Sequence, residues 1–212
     1  MSDRSLPDGV ARRTVDGAER LCTRGEPVYG EPTDGPWRVW DAGRSKLGAM
    51  LEFDQPTDLD GGETVLYLGA ANGTTVSHVA DFAGPTYAVE FAARPIRDLV
   101  DVAADRPNLF PLLKDARSPE TYAHVVEADC DAVVQDVSTR GQADVALENR
   151  RFLADDGQLL ASIKARSEDV AADPQAVFDD VLADLREGYE ILDTADLAPY
   201  HDDHLGVVAA PR

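Results

Sequence analysis

Residues 63–90 read ETVLYLGAANGTTVSHVADFAGPTYAVE, and the rest of the chain can be placed from them. Residues 64–68, TVLYL, are a short apolar run rich in β-formers, which predicts a buried strand. The run ends in Gly69-Ala70-Ala71-Asn72-Gly73, a turn of small residues. Thr74 and Thr75 follow, placed to cap a helix that carries Val76, Val79, Ala80 and Phe82 on one face. Gly84-Pro85 stops that helix, and residues 86–89 form a second strand that delivers Glu90 at its C-terminal end. In this β-α-β unit, small residues let the backbone approach a ligand, and the helix N-terminus offers unpaired N–H groups. The acid at the second strand's tip can accept hydrogen bonds from both hydroxyls of a ribose. The unit therefore reads as an adenosine-cofactor site; a tight turn needed only for packing is the plainer alternative.

The dinucleotide fingerprint is G-x-G-x-x-G, whereas here Ala71 stands where the middle glycine would admit a pyrophosphate. The looser Gly69-x-x-x-Gly73 turn suits a cofactor without a pyrophosphate, such as S-adenosyl-L-methionine, and disfavours a nicotinamide-dependent oxidoreductase.

With 212 residues the chain has room for one domain of ordinary size plus a small appendage, and 43% apolar content supplies a core. No run of eighteen apolar residues occurs, so no transmembrane helix and no membrane partner is expected. Residues 1–4 lack an apolar segment of the secretory kind. Cys22 and Cys130 match no metal spacing and read as reduced cysteines of a cytosolic protein.

The formal charge is −20, and only three lysines occur: Lys46, Lys114 and Lys164. Acidic residues are spread along the chain, so an acidic face for one basic partner is disfavoured. At about 1 M salt the Debye length falls to roughly 3 Å and their repulsion is screened, which points to a salt-rich cytoplasm. The surplus acid also argues against a nucleic-acid binder of the usual basic kind.

Residues 1–60 are rich in Gly, Pro, Arg and Asp with short apolar pieces, including 9–10, 21–22, 28–30 and 37–40. They predict short strands in a small antiparallel appendage, with a boundary at 58–62 and a second domain over 61–212. Beyond Glu90, helices are expected at 94–104, 119–126, 142–154 and 174–187. Strands are expected at 108–113, 131–136, 158–163, 189–194 and 205–210, with 155–157 as a turn. Strands separated by helices mean a parallel sheet covered on both faces, and the last two, joined without a helix, mean an antiparallel final pair.

Ligands bind beyond the carboxyl ends of such strands. Those ends carry Gly69, Glu90, Asp115, Asp136 and Lys164, four of them charged. Lys164 follows a nearly apolar strand in a chain that otherwise avoids lysine, and Lys46 follows the aromatic pair Trp37 and Trp40. Asp136 ends the strand of Val133 and Val134, and His204 precedes the last strand. The bland readings are solvated lysines, a turn carboxylate and a loop histidine like its neighbour His201.

The chain resembles the fibrillarin family in its archaeal form, over nearly its whole length. The resemblance rests on Trp40 with Lys46-Leu47, on residues 68–79, on Tyr87-Ala88-Val89-Glu90-Phe91, on Asp115-Ala116-Arg117 and on Asp136-Val137. It continues in Ser162-Ile163-Lys164-Ala165 and in Pro199-Tyr200 with Asp203-His204. It implies a small N-terminal β-rich domain and a Rossmann-like class I methyltransferase domain, with a mostly parallel seven-stranded sheet. It also implies S-adenosyl-L-methionine bound by Gly69, Thr74, Thr75, Glu90, Phe91, Asp115, Ala116, Asp136, Val137, Ser138 and Thr139. In that set Glu90 takes the ribose hydroxyls, Phe91 packs on adenine and Asp115 accepts from its amine. Lys46, Asp136, Lys164 and His204 would be the catalytic set for ribose 2′-O-methylation, with no metal. The implied partners are a box C/D guide RNA, rRNA and tRNA substrates, a Nop-domain scaffold protein and a kink-turn-binding ribosomal-protein homologue. Asn72, Ser138 and Thr139 depart mildly from the family pattern. Two rivals remain: a non-catalytic subunit of an RNA particle, disfavoured because Lys164 and Asp136 are present, and a methyltransferase of the same fold with another substrate.

Overall fold

A computed structural model describes residues 6–126 and 129–212; residues 1–4, read above for a secretory segment, lie outside them. Four N-terminal strands, β1 (Val10–Val15), β2 (Ala18–Arg24), β3 (Thr33–Asp34) and β4 (Trp37–Val39), form an antiparallel sheet in the order β1-β2-β4-β3. The β1–β2 hairpin closes on Asp16-Gly17, with φ of 52° and 77°. An Asp-Gly pair is the composition that such a two-residue turn needs.

A 3₁₀ turn, Ala42–Arg44, leads into α1 (Lys46–Glu52). The hydroxyl of Ser45 accepts from the Gly48 amide at 3.0 Å and caps α1, which buries Leu47, Met50 and Leu51.

The large sheet alternates strands and helices. In chain order these are β5 (Val65–Leu68), α2 (Thr74–Ala80), β6 (Thr86–Glu90), α3 (Pro95–Ala104), β7 (Leu109–Leu113), β8 (Cys130–Gln135) and α4 (Gln142–Asn149). Then come β9 (Leu153–Lys164), α5 (Ala165–Glu168), α6 (Pro174–Leu185), β10 (Tyr189–Asp196) and β11 (His204–Pro211). The seven strands run in the order β10-β11-β9-β8-β5-β6-β7, and β11 is antiparallel to both of its neighbours. This is the Rossmann-like methyltransferase architecture expected above. Successive residues of β5 serve opposite faces: Val65 and Tyr67 join the cluster under α1, α2 and α3, and Leu66 and Leu68 join the one under α4 and α6. The first cluster also takes in Val10 and Leu21, so the two sheets share a core. Chain order reverses between β5 and β8, and the crevice at their carboxyl ends is where a ligand belongs in such a sheet.

Five local expectations fail. Residues 28–30 are not a strand: Glu31 accepts from the amides of Val28 and Tyr29 at 2.8 and 2.9 Å and folds the segment into a bend. The stretch after Trp40 contains α1, hidden from periodicity by its length of seven residues. Residues 119–126 supply only the 3₁₀ turn Pro119–Thr121. The helix expected to reach 154 ends at Asn149, and 155–157 extend β9 past an irregular register with β8. Thr74 and Thr75 do not cap α2; Gly73 does, at φ 93°, and no side chain is involved. Among the described residues no helix is long and apolar enough to cross a membrane.

Candidate active site

The first strand-to-helix turn is built for close backbone approach. Gly69 has φ 84°, and a Cβ there would collide with the Asp136 carbonyl. Gly73 also has positive φ, and a Cβ would press on Leu99 and Val102 at 3.1 and 3.3 Å. Both positions require glycine. The Glu90 carboxylate, 6% exposed, accepts from the amides of Ala71 at 2.9 Å and Ala92 at 2.7 Å. Those bonds fix the carboxylate at the tip of β6.

Beside it lies a cavity of about 460 Å³ lined by Gly69, Glu90, Phe91, Asp115, Ala116, Asp136, Val137, Ser138 and Thr139. The volume falls in the range of roughly 300–1,000 Å³ usual for small-molecule sites. The ring of Phe91 is 71% exposed at the rim, an open apolar face for a flat ligand. Thr74 and Thr75 lie off this lining: the Thr74 hydroxyl points to Asn72 Oδ1 at 3.0 Å, and Thr75 is buried beside Tyr67. The lining also includes Lys114 and Arg117, neither of which is among the expected cofactor contacts. Arg117 donates to both Asp115 oxygens through its guanidinium and to one through its amide, at 2.6–3.1 Å. These hydrogen bonds hold the Asp115 carboxyl below its usual range, and an adenine amine reaching Asp115 would compete with Arg117.

Asp136 belongs to two groups at once. It lines the cavity, and its Oδ1 lies 3.3 Å from Lys46 Nζ, with the side chains 18% and 26% exposed. Lys46 is the first residue of α1, so the cap at Ser45 sets where its side chain begins. Lys164 ends β9 and pairs in register with His204 at the start of β11. The neighbouring bond runs from the Ala165 amide to the Asp203 carbonyl, and the backbone groups of Lys164 turn to the other side, so this is a non-hydrogen-bonded pair. In such pairs the two side chains stand closest together, on one face. Among the described residues Lys164 has no ion-pair partner. All three lysines of the chain thus lie at this sheet edge, Lys46 on Asp136, Lys114 in the cavity lining and Lys164 beside His204.

His204 Nδ1 is 2.7 Å from the Asp202 carbonyl, which can only accept, so Nδ1 carries the hydrogen and a neutral ring offers Nε2 as a lone pair. Burial first, partly offset by the bond to Asp202, then the charges of Lys46 and His201 hold the His204 pKa below its ordinary value. His201 is engaged elsewhere, with Nε2 2.8 Å from the Ala42 carbonyl.

A second charged cluster lies behind α2, away from the cavity. Arg38, 0% exposed, donates to Asp81 at 2.7 Å and to Ser77 at 3.1 Å, and pairs with Glu31 at 3.4 Å. Asp81 also accepts from Thr23 at 2.7 Å and from Arg106 at 3.3 Å. With its proton given to Asp81, the Thr23 hydroxyl accepts from His78 Nδ1 at 2.7 Å, which makes the neutral His78 an Nδ1–H tautomer. Trp40 stacks on His78 at 5.1 Å and donates to the capping Ser45 at 2.9 Å. The small sheet is therefore locked to α2 through charges, and to α1 through Trp40.

Comparison with known proteins agrees with this arrangement. The fibrillarin family model matches residues 9–212. A fibrillarin-like rRNA/tRNA 2′-O-methyltransferase of Halorubrum lacusprofundi is 68% identical over 212 residues, all of both chains. One of the same name from Haloarcula marismortui is 69% identical over 208 residues, covering 98% of this chain and 99% of that one. Among solved structures, fibrillarin in a fibrillarin/Nop5p complex superposes with a TM-score of 0.90 at 36% identity, covering 99% of this chain and 100% of that one. Aeropyrum pernix fibrillarin with natively bound S-adenosyl-L-methionine gives 0.81 at 39% identity, covering 95% and 97%. The chain belongs to the fibrillarin family.

Proposed function

We propose that this chain is an S-adenosyl-L-methionine-dependent RNA ribose 2′-O-methyltransferase. It is the catalytic subunit of a box C/D guide particle that acts on rRNA and tRNA in a salt-rich cytoplasm. The observation that carries the proposal is the double position of Asp136, in the cavity lining and against Lys46. The cavity suits the methyl donor: Glu90 is fixed for ribose hydroxyls, Phe91 presents a face to adenine, and Gly69 leaves space beside Asp136. The other proposed contacts are Asp115, Ala116, Val137, Ser138 and Thr139 in the lining, with Thr74 and Thr75 behind it at the start of α2. The donor supplies an electrophilic sulfonium methyl, which leaves the protein chiefly the task of alignment.

Asp136 and Lys164 hold the ribose 2′-hydroxyl in line, one of the pair takes up its proton as the oxygen attacks the methyl, and the Lys46 ammonium stabilises the developing alkoxide. Lys46 fixes the Asp136 carboxylate, and neutral His204 presents Nε2 beside Lys164. Residues 1–60 form the small β-rich domain and 61–212 the methyltransferase domain. That division is supported by strand membership, since β1–β4 make one sheet and every strand from Val65 onward the other.

With a charge of −20 the isolated chain has little attraction for phosphate, so guide RNA and scaffold proteins (a Nop-domain protein and a kink-turn binder) bring the substrate. The test is transfer of labelled methyl from S-adenosyl-L-methionine to guide-matched RNA in the assembled particle at molar salt. Label should enter the matched nucleotide and vanish when that nucleotide is 2′-deoxy. Label on the 2′-deoxy RNA, or none on either, overturns the proposal.

A further inference from the structure

The backbone of Lys164 is held by a side chain. β8 and β9 pair as far as Gln135 and Ala161, so Lys164 runs three residues past their last rung. The N–H and C=O of Lys164 on that side would have no strand to bond. Gln142 takes both: its Oε1 accepts from the Lys164 amide at 2.8 Å, and its Nε2 donates to the Lys164 carbonyl at 3.1 Å. The carboxamide does the work of one residue of a missing strand. Its orientation is forced, because an amide N–H needs the oxygen and a carbonyl needs the NH₂.

Gln142 is itself 0% exposed and clamped. Its Nε2 gives a second hydrogen bond to Glu168 Oε1 at 2.8 Å, and its own amide donates to the same oxygen at 2.7 Å. Glu168 Oε2 accepts from the Gly141 amide at 2.8 Å, and Gln135 Nε2 donates to the Gln142 carbonyl at 2.8 Å. Glu168 thereby also caps α4, whose N-cap, Gly141, has no side chain to do so. The ring closes on itself: Glu168 lies in α5, which starts directly after Lys164. Residues 136–139, which line the cavity, run on into Gly141 and Gln142, so the segment that borders the methyl donor ends at the residue that holds the lysine.

We propose that Gln142, locked by Glu168, is a positioning residue that sets Lys164 against the Asp136 segment for methyl transfer. The inference rests on the function proposed above. Gln142→Met keeps the bulk and removes every hydrogen bond to Lys164. Glu168→Gln keeps the shape and weakens the clamp.

Both are measured in the assembled particle at molar salt, by single-turnover methyl transfer and by calorimetry with S-adenosyl-L-methionine. The transfer rate should fall about 10- to 100-fold for Gln142→Met, the usual cost of losing such a support, and less for Glu168→Gln. Cofactor affinity and the KM for RNA should stay within about threefold, a split that general unfolding would not give. Wild-type transfer with both variants overturns the inference while leaving the function intact. So does a parallel loss of cofactor affinity, which would make the clamp a support of the pocket. Should Gln142→Met not fold, Glu168→Gln carries the same test. A wild-type particle inactive on 2′-hydroxyl RNA sinks the function itself.

Discussion

Two charged clusters flank the Trp40–Ser45 connection, and they are built in opposite ways. Behind α2, Arg38, Arg106, Asp81 and Glu31 are almost wholly enclosed, with side chains 0–9% exposed, and bonded to one another. At the sheet edge, Lys46 and Asp136 remain partly open, and Lys164 has no ion-pair partner among the described residues. Burial pushes Asp81 up and Arg38 down from their ordinary values despite their pairing. At those two residues desolvation outweighs attraction, so the Arg38–Asp81 pair fixes geometry and adds little net stability. The open cluster keeps charge available for a ligand. The difference teaches that closure marks the structural ions of this molecule, and that incompleteness marks the ions to which the proposed function assigns the chemistry.

The largest effect that sharpens this contrast should come from Asp81→Ala. It strands two buried guanidinium groups and should cost about 3–5 kcal/mol. At about 2–4 °C per kcal/mol the melting temperature falls by roughly 6–20 °C, read by calorimetry at molar salt. A melting temperature within 2 °C of wild type, on the order of 1 kcal/mol or less, would break the comparison.

The pH effect is smaller. Burial first, then the charges of Arg38, Arg106 and Arg44, hold the His78 pKa well below its ordinary value. The unfolded chain therefore takes up a proton before the folded one does as pH falls. Stability is retained above about pH 6.5 and is lost below it, by about 1.4 kcal/mol one pH unit lower. His204 acts in the same sense, with a smaller depression. Melting curves between pH 7 and 5.5 read the effect, and His78→Gln should flatten it; a wild-type curve already flat there contradicts a His78 held neutral in the folded chain.

The glycine turn and the acid at the tip of β6 are legible in the sequence because they are written locally. Gly69, Gly73 and Glu90 serve through backbone conformation and strand ends, within one β-α-β unit. The strand-end rule likewise places Asp136 and Lys164 at the ends of β8 and β9, where the structure has them. What stayed hidden depends on distant partners. Neither Gln142 nor Glu168 belongs to a motif, and their bonds to Lys164 and to each other span 22 and 26 residues. Arg38 looked like any arginine in a short strand until Asp81, 43 residues on, closed over it. Lys114 carries a signal of the same kind: the scarcity of lysine that singles out Lys46 and Lys164 applies to it equally.

The most direct measurement is methyl transfer by Lys164→Ala at saturating S-adenosyl-L-methionine, with the cofactor dissociation constant and melting temperature taken on the same sample. The open lysine should cost at least about 100-fold in rate. Cofactor binding should stay within about threefold, and melting should shift by less than the roughly 2–4 °C that 1 kcal/mol moves it. Transfer at the wild-type rate would contradict the assignment of chemistry to this edge.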